Sequence, residues 1–513
     1  MDKAGRKEKV IKNVSSQIVA SLIQSILGFV LRKIFLDCLG QSLLGLNGLM
    51  TSIIGMLSLA ELGVGEAINF SLYEPLAKND KDKIISIMNL YKKLYISIGI
   101  IITLIGILLF PFLQFFIKTN ISSKTVNIAY ILFIIDTFLS YCLAYNRNIV
   151  SADQKDYIII NIDTGAQIIL NISQIIFLLA TRNYYIYLSL QVIITFIRNF
   201  YIYTRTKKMY PYLKSNKIQP LSKEYINKLI SNIKALFATK IAYFCVSGTD
   251  NLLLSSFVSL TSVAIYNNYL TIINLLNRTF NMIITKASSV IANFIVLNSK
   301  EESYLLFKRI FFVNYIITSY VTIGIMLFCN KVITLWLGPH NTWSLLLVYL
   351  LSYNNYSRYI LQTCEAFRAA AGLYSPKPFV KYISLFEGII NLIFSLFFIY
   401  IMNNPILGIF CGTAVSTLVS TFGVPWIVYR FLFDKSLKDF FIIYIKYFSV
   451  AIITFLLSKN ILDVVFSKIN IFNLILEMII YSLIIFFIYY ITFRYTDEFK
   501  YNINILKNLL NKK

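Results

Sequence analysis

Apolar stretches of about twenty residues recur along the whole chain, each separated from the next by a short connector that carries Lys or Arg. This rhythm limits the fold more than any motif does. Windows of helix length fall at 14–36, 42–62, 93–117, 124–146, 157–180, 184–204, 235–258, 262–285, 309–329, 343–362, 379–401, 405–430, 440–458 and 470–493. A helix needs about 20 apolar residues to cross a bilayer, so each window is a candidate span. Hydrophobic residues make up 57% of the chain and mean hydropathy is +0.68. Charged residues make up only 14%, against about 25% in soluble domains. A water-soluble core could not hide this much apolar surface. The expected fold is an all-α integral membrane protein with about 14 transmembrane helices.

The distribution of positive charge tests this count. With the N-terminus on the cytoplasmic side, 37 of the 48 Lys and Arg fall on cytoplasmic segments and 8 on outside ones, with residues at span ends assigned to the adjoining connector. Three (Arg198, Lys240 and Arg278) lie within spans. Cytoplasmic connectors of membrane proteins carry this excess. One missed helix would invert every later connector, so the bias predicts fourteen spans with both chain ends inside. The formal net charge of +24 raises a nucleic-acid reading, but the basic residues sit between apolar spans and form no aromatic-interleaved groove. The abundance of Ile, Lys, Asn, Phe and Tyr also fits an AT-rich coding sequence, which raises lysine without function.

The longest basic connector, Arg205 to Lys234, contains Pro211 and Pro220 and divides the chain. The expected organisation is an N-lobe over 1–204, a basic cytoplasmic linker over 205–234, a C-lobe over 235–432, and two extra spans with a tail over 433–513. The plain reading of the linker is a solvated segment near anionic lipid heads. Leu46-Asn47-Gly48-Leu49 opens the second span and Tyr266-Asn267-Asn268-Tyr269 opens the eighth, a faint internal repeat. Transporters built from parallel halves carry their substrate path between them.

Charges inside spans are costly, and they face a cavity or a partner. The candidates are Arg32, Lys33 and Glu61 near span ends, and Asp136, Asp163, Arg198, Lys240, Asp250, Arg278, Glu387 and Glu477 deeper. The competing reading for the first three is snorkelling to the interface. Asp250, within Gly248-Thr249-Asp250-Asn251, could pair with Lys240 or Arg278, or bind a proton or Na⁺. Glu387 and Asn391 share a helix face and could simply hydrogen-bond a neighbouring helix. No phosphate-binding glycine loop, HExxH pair or acidic pair with metal-ligand spacing occurs. The six cysteines are scattered singly. No cofactor is expected beyond a coupling H⁺ or Na⁺, and no enzyme activity.

Leu43-Leu44-Gly45-Leu46-Asn47-Gly48-Leu49, Leu57-Ser58-Leu59-Ala60-Glu61-Leu62-Gly63-Val64-Gly65 and Phe70-Ser71-Leu72-Tyr73-Glu74-Pro75-Leu76-Ala77 resemble the start of bacterial polysaccharide flippases. These are the O-antigen and capsule repeat-unit transporters of the multidrug/oligosaccharidyl-lipid/polysaccharide exporter superfamily. Similar stretches continue at Ala152-Asp153-Gln154-Lys155, Thr249-Asp250-Asn251, Phe367-Arg368-Ala369-Ala370-Ala371-Gly372-Leu373, Glu387-Gly388-Ile389-Ile390-Asn391-Leu392 and Gly412-Thr413-Ala414-Val415-Ser416-Thr417, over about residues 10 to 435. The resemblance implies two six-helix lobes around a central cavity, here with two extra C-terminal helices. It implies a substrate as well, an oligosaccharide on undecaprenyl pyrophosphate, and a cationic cavity suited to that anion.

On this reading Arg32, Lys240, Arg278 and Arg198 hold the pyrophosphate, while Asp250, Glu61 and Glu387 bind a coupling cation or latch the lobes. Tyrosines and asparagines line the sugar path. The implied partners are the lipid-linked glycan, membrane lipids, and a polysaccharide polymerase and glycosyltransferases. Two rivals are a drug/cation antiporter of the same superfamily, which calls for a carboxylate-rich cavity and twelve spans, and a membrane glycan polymerase or acyltransferase. The latter calls for a large outside loop, and the longest outside connector, around Leu337 to Trp343, is short.

Overall fold

A computed structural model describes residues 3–61, 64–118, 121–215, 219–223, 225–227, 230, 244, 248–373 and 382–510. The described residues form helices joined by short turns, with no strand among them. In chain order they are α1 (Lys3–Leu57), α2 (Val64–Lys78), α3 (Lys81–Leu109), α4 (Ser123–Ala152), α5 (Asp156–Thr181), α6 (Tyr184–Met209), α7 (Thr249–Phe257) and α8 (Leu260–Leu297). Then follow α9 (Lys300–Leu337), α10 (Leu345–Ile360), α11 (Gln362–Ala370), α12 (Ile383–Ile401), α13 (Pro405–Val428), α14 (Leu437–Val465), α15 (Ile471–Phe493) and α16 (Asp497–Leu510). Ten stretches among them are long and apolar enough to cross a membrane. The first two expected spans both fall in α1, which kinks at Gly40 (φ 82°, ψ 172°), a conformation open to glycine and strained for other residues. The seventh span lies largely outside the described residues, the eighth is α8, and the tenth is broken into α10 and α11 at Leu361. The protein is an all-α, multi-pass membrane protein.

Two compact units are present, Met1–Ala264 and Ile265–Lys513. The internal repeat is far more extensive than its four-residue sequence trace. An offset of about 220 residues carries Asn47 and Thr51 onto Asn267 and Thr271, and each threonine hydroxyl donates to the asparagine carbonyl one turn back, at 2.8 and 2.7 Å. The same offset carries the buried Tyr95 onto Tyr315 and the buried Asn171 onto Asn391. It also brings Asn183 to Asn404 within one residue. Both asparagines cap their helices by accepting from the N–H groups two and three residues on.

In the first unit α1 packs on α5, α3 on α4, and α4 on α6. The described part of the basic connector makes hydrogen bonds to helices of this unit. Tyr210 donates to Asp153 at 2.8 Å, the Gln219 N–H donates to Ser86 Oγ at 2.9 Å, and Tyr225 donates to the Ser71 carbonyl at 3.4 Å.

In the second unit the extra helices are docked along α9. Tyr315 stacks on Tyr447 and Tyr489, with centroids at 4.3 and 5.6 Å. Tyr489 donates to Ser319 Oγ at 2.7 Å, and Lys331 pairs with the buried Glu477 at 2.7 Å. At the other end of α9, Lys308 pairs with Glu498 at 3.5 Å and the Arg309 guanidinium lies 3.6 Å above Tyr501.

Helices α12 and α13 approach closely. Every fourth residue of α13 (Gly408, Gly412, Ser416 and Ser420) is small, and these meet Ile399, Ser395, Asn391 and Glu387 in turn. A Cβ on Gly412 would sit 2.3 Å from Ser395 Oγ and 2.4 Å from its backbone N. Small residues at this spacing let helices touch in lipid, where no hydrophobic effect drives them together. Gly412→Val therefore lowers the thermal unfolding midpoint in detergent, by the equivalent of about 1–3 kcal/mol of overpacking. Gly165→Val, where a Cβ meets nothing within 4 Å, leaves the midpoint in place; equal midpoints for the two variants would contradict the close contact.

Candidate functional site

Glu61 closes the tight turn Ser58–Glu61 that ends the second half of α1. Tyr95 of α3 donates to one carboxylate oxygen at 2.5 Å and Tyr141 of α4 donates to the other at 2.7 Å. Tyr91 packs edge-on against Tyr95, with centroids 4.6 Å apart. A Cβ on Gly65 would lie 3.1 Å from the Tyr95 hydroxyl and 3.3 Å from that of Tyr91, so glycine is the residue that fits here. Both oxygens of Glu61 are thus occupied by phenols of neighbouring helices of one unit. Hydroxyl donors satisfy a carboxylate at membrane depth without a full counter-charge.

A second cluster joins α4, α5 and α6. Arg147 grips Asp163 through both terminal nitrogens at 2.7 and 2.9 Å, the two-pronged geometry that matches guanidinium to carboxylate. The same arginine donates to Asn199 Oδ1 at 2.9 Å. Arg198 Nε stands 3.6 Å from Asp163, and Gln191 donates to Asp136 at 3.2 Å. Two arginines are balanced here by two aspartates. Arg198, expected on a cationic path, shares Asp163 with Arg147, and that acid compensates part of its charge. Arg147 was not among the expected site residues. The sequence window ends at 146 and assigns Arg147 to a connector, whereas α4 continues to Ala152.

Arg32 lies on the first half of α1 and donates to the Ala264 carbonyl at 3.2 Å. One turn on, Phe35 packs edge-on against Tyr184 and Tyr187. Lys33 pairs with Asp37 at 2.9 Å on an exposed face, as expected for an interfacial residue. Asp250 is buried in the first turn of α7. Lys240 lies outside the described residues, and so does the side chain of Arg278 on α8. In the second unit Glu387 accepts from Ser420, which fits the expectation of a hydrogen bond to a neighbouring helix, and Asn391 donates to Thr413 Oγ1 at 3.0 Å. Arg32, Glu61, Arg198 and Glu387 thus each have partners of their own. Among the described residues no group of three His, Cys, Asp or Glu could hold a metal ion.

A family model described as "Polysaccharide biosynthesis protein" matches residues 10–289. The chain belongs to the polysaccharide biosynthesis protein family. The match covers the stretches from Leu43 to Ala77 and the Thr249-Asp250-Asn251 triplet, so the resemblance read from the sequence holds. No curated protein sequence matches the chain. Among solved structures, one titled as the lipid II flippase MurJ in an inward closed conformation is similar at TM-score 0.63 and 16% identity, covering 93% of this chain and 98% of that one. Another, titled as the inward-facing conformation of a multidrug resistance MATE family transporter of the MOP superfamily, is similar at TM-score 0.60 and 14% identity, covering 79% of this chain and 94% of that one. At these identities the likeness shows the fold. This family member is a multi-pass membrane protein with the fold that these structures share.

Without Arg147, Asp163 would keep only Arg198, 3.6 Å away, as a cationic partner. Arg147→Ala alone destabilises the protein more than Arg147→Ala with Asp163→Asn, with a coupling of about 1 kcal/mol, read as unfolding midpoints in detergent. Additive effects would show that the pair is not coupled.

Proposed function

We propose that the protein flips an oligosaccharide repeat unit, carried on undecaprenyl pyrophosphate, from the inner to the outer leaflet of the bacterial cytoplasmic membrane for surface polysaccharide synthesis. Capsule, O-antigen and exopolysaccharide units are all of this class. Membership in the polysaccharide biosynthesis protein family carries the reading. The fold supports it, since the structure titled as a lipid II flippase shares it over 93% of this chain. Both chain ends lie in the cytoplasm, as the charge bias requires.

The lobes open alternately to each side. Arg32, Lys240 and Arg278 hold the pyrophosphate, a doubly forked anion suited to guanidinium and ammonium donors. Arg198 contributes less, because Asp163 stands 3.6 Å away. Asp250, Glu61 and Glu387 serve the coupling H⁺ or Na⁺ or gate the path, and of these Glu61 has its oxygens engaged by Tyr95 and Tyr141. A polymerase and glycosyltransferases act after and before this step. A drug/cation antiporter is the second reading. The structure titled as a MATE transporter covers 79% of this chain, and the narrower cover favours the flippase.

Purified protein in vesicles tests the proposal with a fluorescent undecaprenyl-pyrophosphate oligosaccharide. Wild-type protein is expected to move the lipid between leaflets. Arg32→Ala, Lys240→Ala and Arg278→Ala together reduce the rate at least about tenfold, the effect of losing one charge-assisted contact or more. An unchanged rate in the triple variant removes the cationic path, and movement of an organic cation in place of the glycan lipid supports the antiporter.

A further inference from the structure

Helix α16 begins four residues after α15 ends at Phe493. Four Cα steps reach at most about 14 Å, so α16 starts close to the end of a segment long and apolar enough to cross a bilayer. It does not lead away from the bundle. Phe499, in its first turn, packs edge-on against Tyr490 of α15 and Phe312 of α9, with centroids 6.1 and 6.3 Å apart. The chain has folded back on the rim of its own span. At the join the Arg494 guanidinium lies 4.6 Å from the ring of Tyr495, which is 73% exposed, and 5.9 Å from that of Tyr490. Exposed tyrosine beside arginine suits a lipid headgroup layer. Within α16, apolar residues recur at Phe499, Ile503, Leu506 and Leu510, spacings of four, three and four that mark one helix face. The helix also grips one end of α9. Glu498 pairs with Lys308 at 3.5 Å, the Tyr501 ring lies 3.6 Å from the Arg309 guanidinium, and Asn502 donates to the Arg309 carbonyl at 3.3 Å. With Glu498 engaged, the exposed charges from 494 to 510 are Arg494, Lys500 and Lys507 against Asp497.

We propose that α16 lies in the plane of the membrane, docked on the anionic lipid surface of the inner leaflet, and that it holds the Lys308–Arg309 end of α9 at that level. The proposal rests on the charge-bias reading that puts the C-terminus in the cytoplasm. A short amphipathic helix with cations on its polar side binds such a surface through buried apolar area and headgroup attraction together. The contact of Phe499 with Tyr490 favours lipid over a soluble protein as the partner, because it sets the apolar side at the depth where the span itself ends. Anionic lipid then acts on α9, along which α14 and α15 are docked through Tyr447 and Tyr489.

Nitroxide labels on Ile503→Cys and Asn508→Cys test this in vesicles of phosphatidylcholine with and without phosphatidylglycerol, with the signal of the unaltered chain subtracted. Oxygen collects in the bilayer and a nickel chelate in water, so the ratio of their relaxation effects reads depth. The label at 503 is expected to favour oxygen and the label at 508 nickel. Phosphatidylglycerol is expected to raise the ratio at 503 about threefold or more, and Lys500→Gln with Lys507→Gln to remove that response. Equal ratios at 503 and 508, or a ratio at 503 indifferent to phosphatidylglycerol, overturns the docking. So does a label at 503 shielded from both reagents, which marks a face packed on protein. Should Ile503→Cys not fold, hydrogen exchange over 497–510 in the unaltered chain decides. Slower exchange with phosphatidylglycerol than without supports the docking, and equal exchange overturns it. Reduction of the label at 508 by impermeant ascorbate in intact cells overturns the inner-leaflet assignment and the cytoplasmic C-terminus with it, an outcome distinct from a failure of the depth ratios.

Discussion

Hydrocarbon offers no hydrogen-bond partner, so every polar group that enters the membrane must find one inside the protein. Much of the structure follows from this demand. Asp163 is held by two prongs of Arg147, Glu61 by two tyrosine hydroxyls, and Glu477 by Lys331. The charges that looked expensive in the sequence are therefore knots that tie particular helices together. Helices also meet by another device. At Gly412 against Ser395, and at Gly45 against Leu260, the absence of a side chain lets backbones touch. Close packing and interhelical hydrogen bonds replace the hydrophobic drive that water would supply.

The repeat shows which features belong to the framework and which to function. Caps, turns and buried aromatic residues recur at the same offset, as Asn183 and Asn404 or Tyr95 and Tyr315 do. The charges do not. Arg147 and Asp163 correspond to Phe367 and Ile383, and the Gln167–Asn171 pair corresponds to Glu387–Asn391. Helix α4 is continuous where its counterpart is broken into α10 and α11. The two halves thus share caps, turns and buried aromatic residues but differ in the polar chemistry of their spans.

Solvent class, span rhythm and family were legible in the sequence, because each depends on apolar runs and short motifs that survive without knowledge of contacts. Span ends were less so. Arg147 was assigned to a connector because hydropathy falls before the helix does, and the kink at Gly40 sits inside one continuous helical segment. Partners across helices were not legible at all. Nothing near Glu61 in the chain points to Tyr95 or Tyr141, which lie 34 and 80 residues away. The four-residue trace at Asn47 and Asn267 understated the repeat, because the two halves share positions and geometry more than residue identity.

Two parallel halves in one bilayer require equivalent turns to lie on the same face. Lys81 and Lys300 open α3 and α9 at equivalent, exposed positions. Cysteines placed singly at these two positions, probed with an impermeant thiol reagent on intact cells and on inverted vesicles, test the arrangement most directly. Both are predicted to react in inverted vesicles and neither in intact cells. Reaction of the two from opposite faces would contradict the parallel repeat, and with it the transport path built on it.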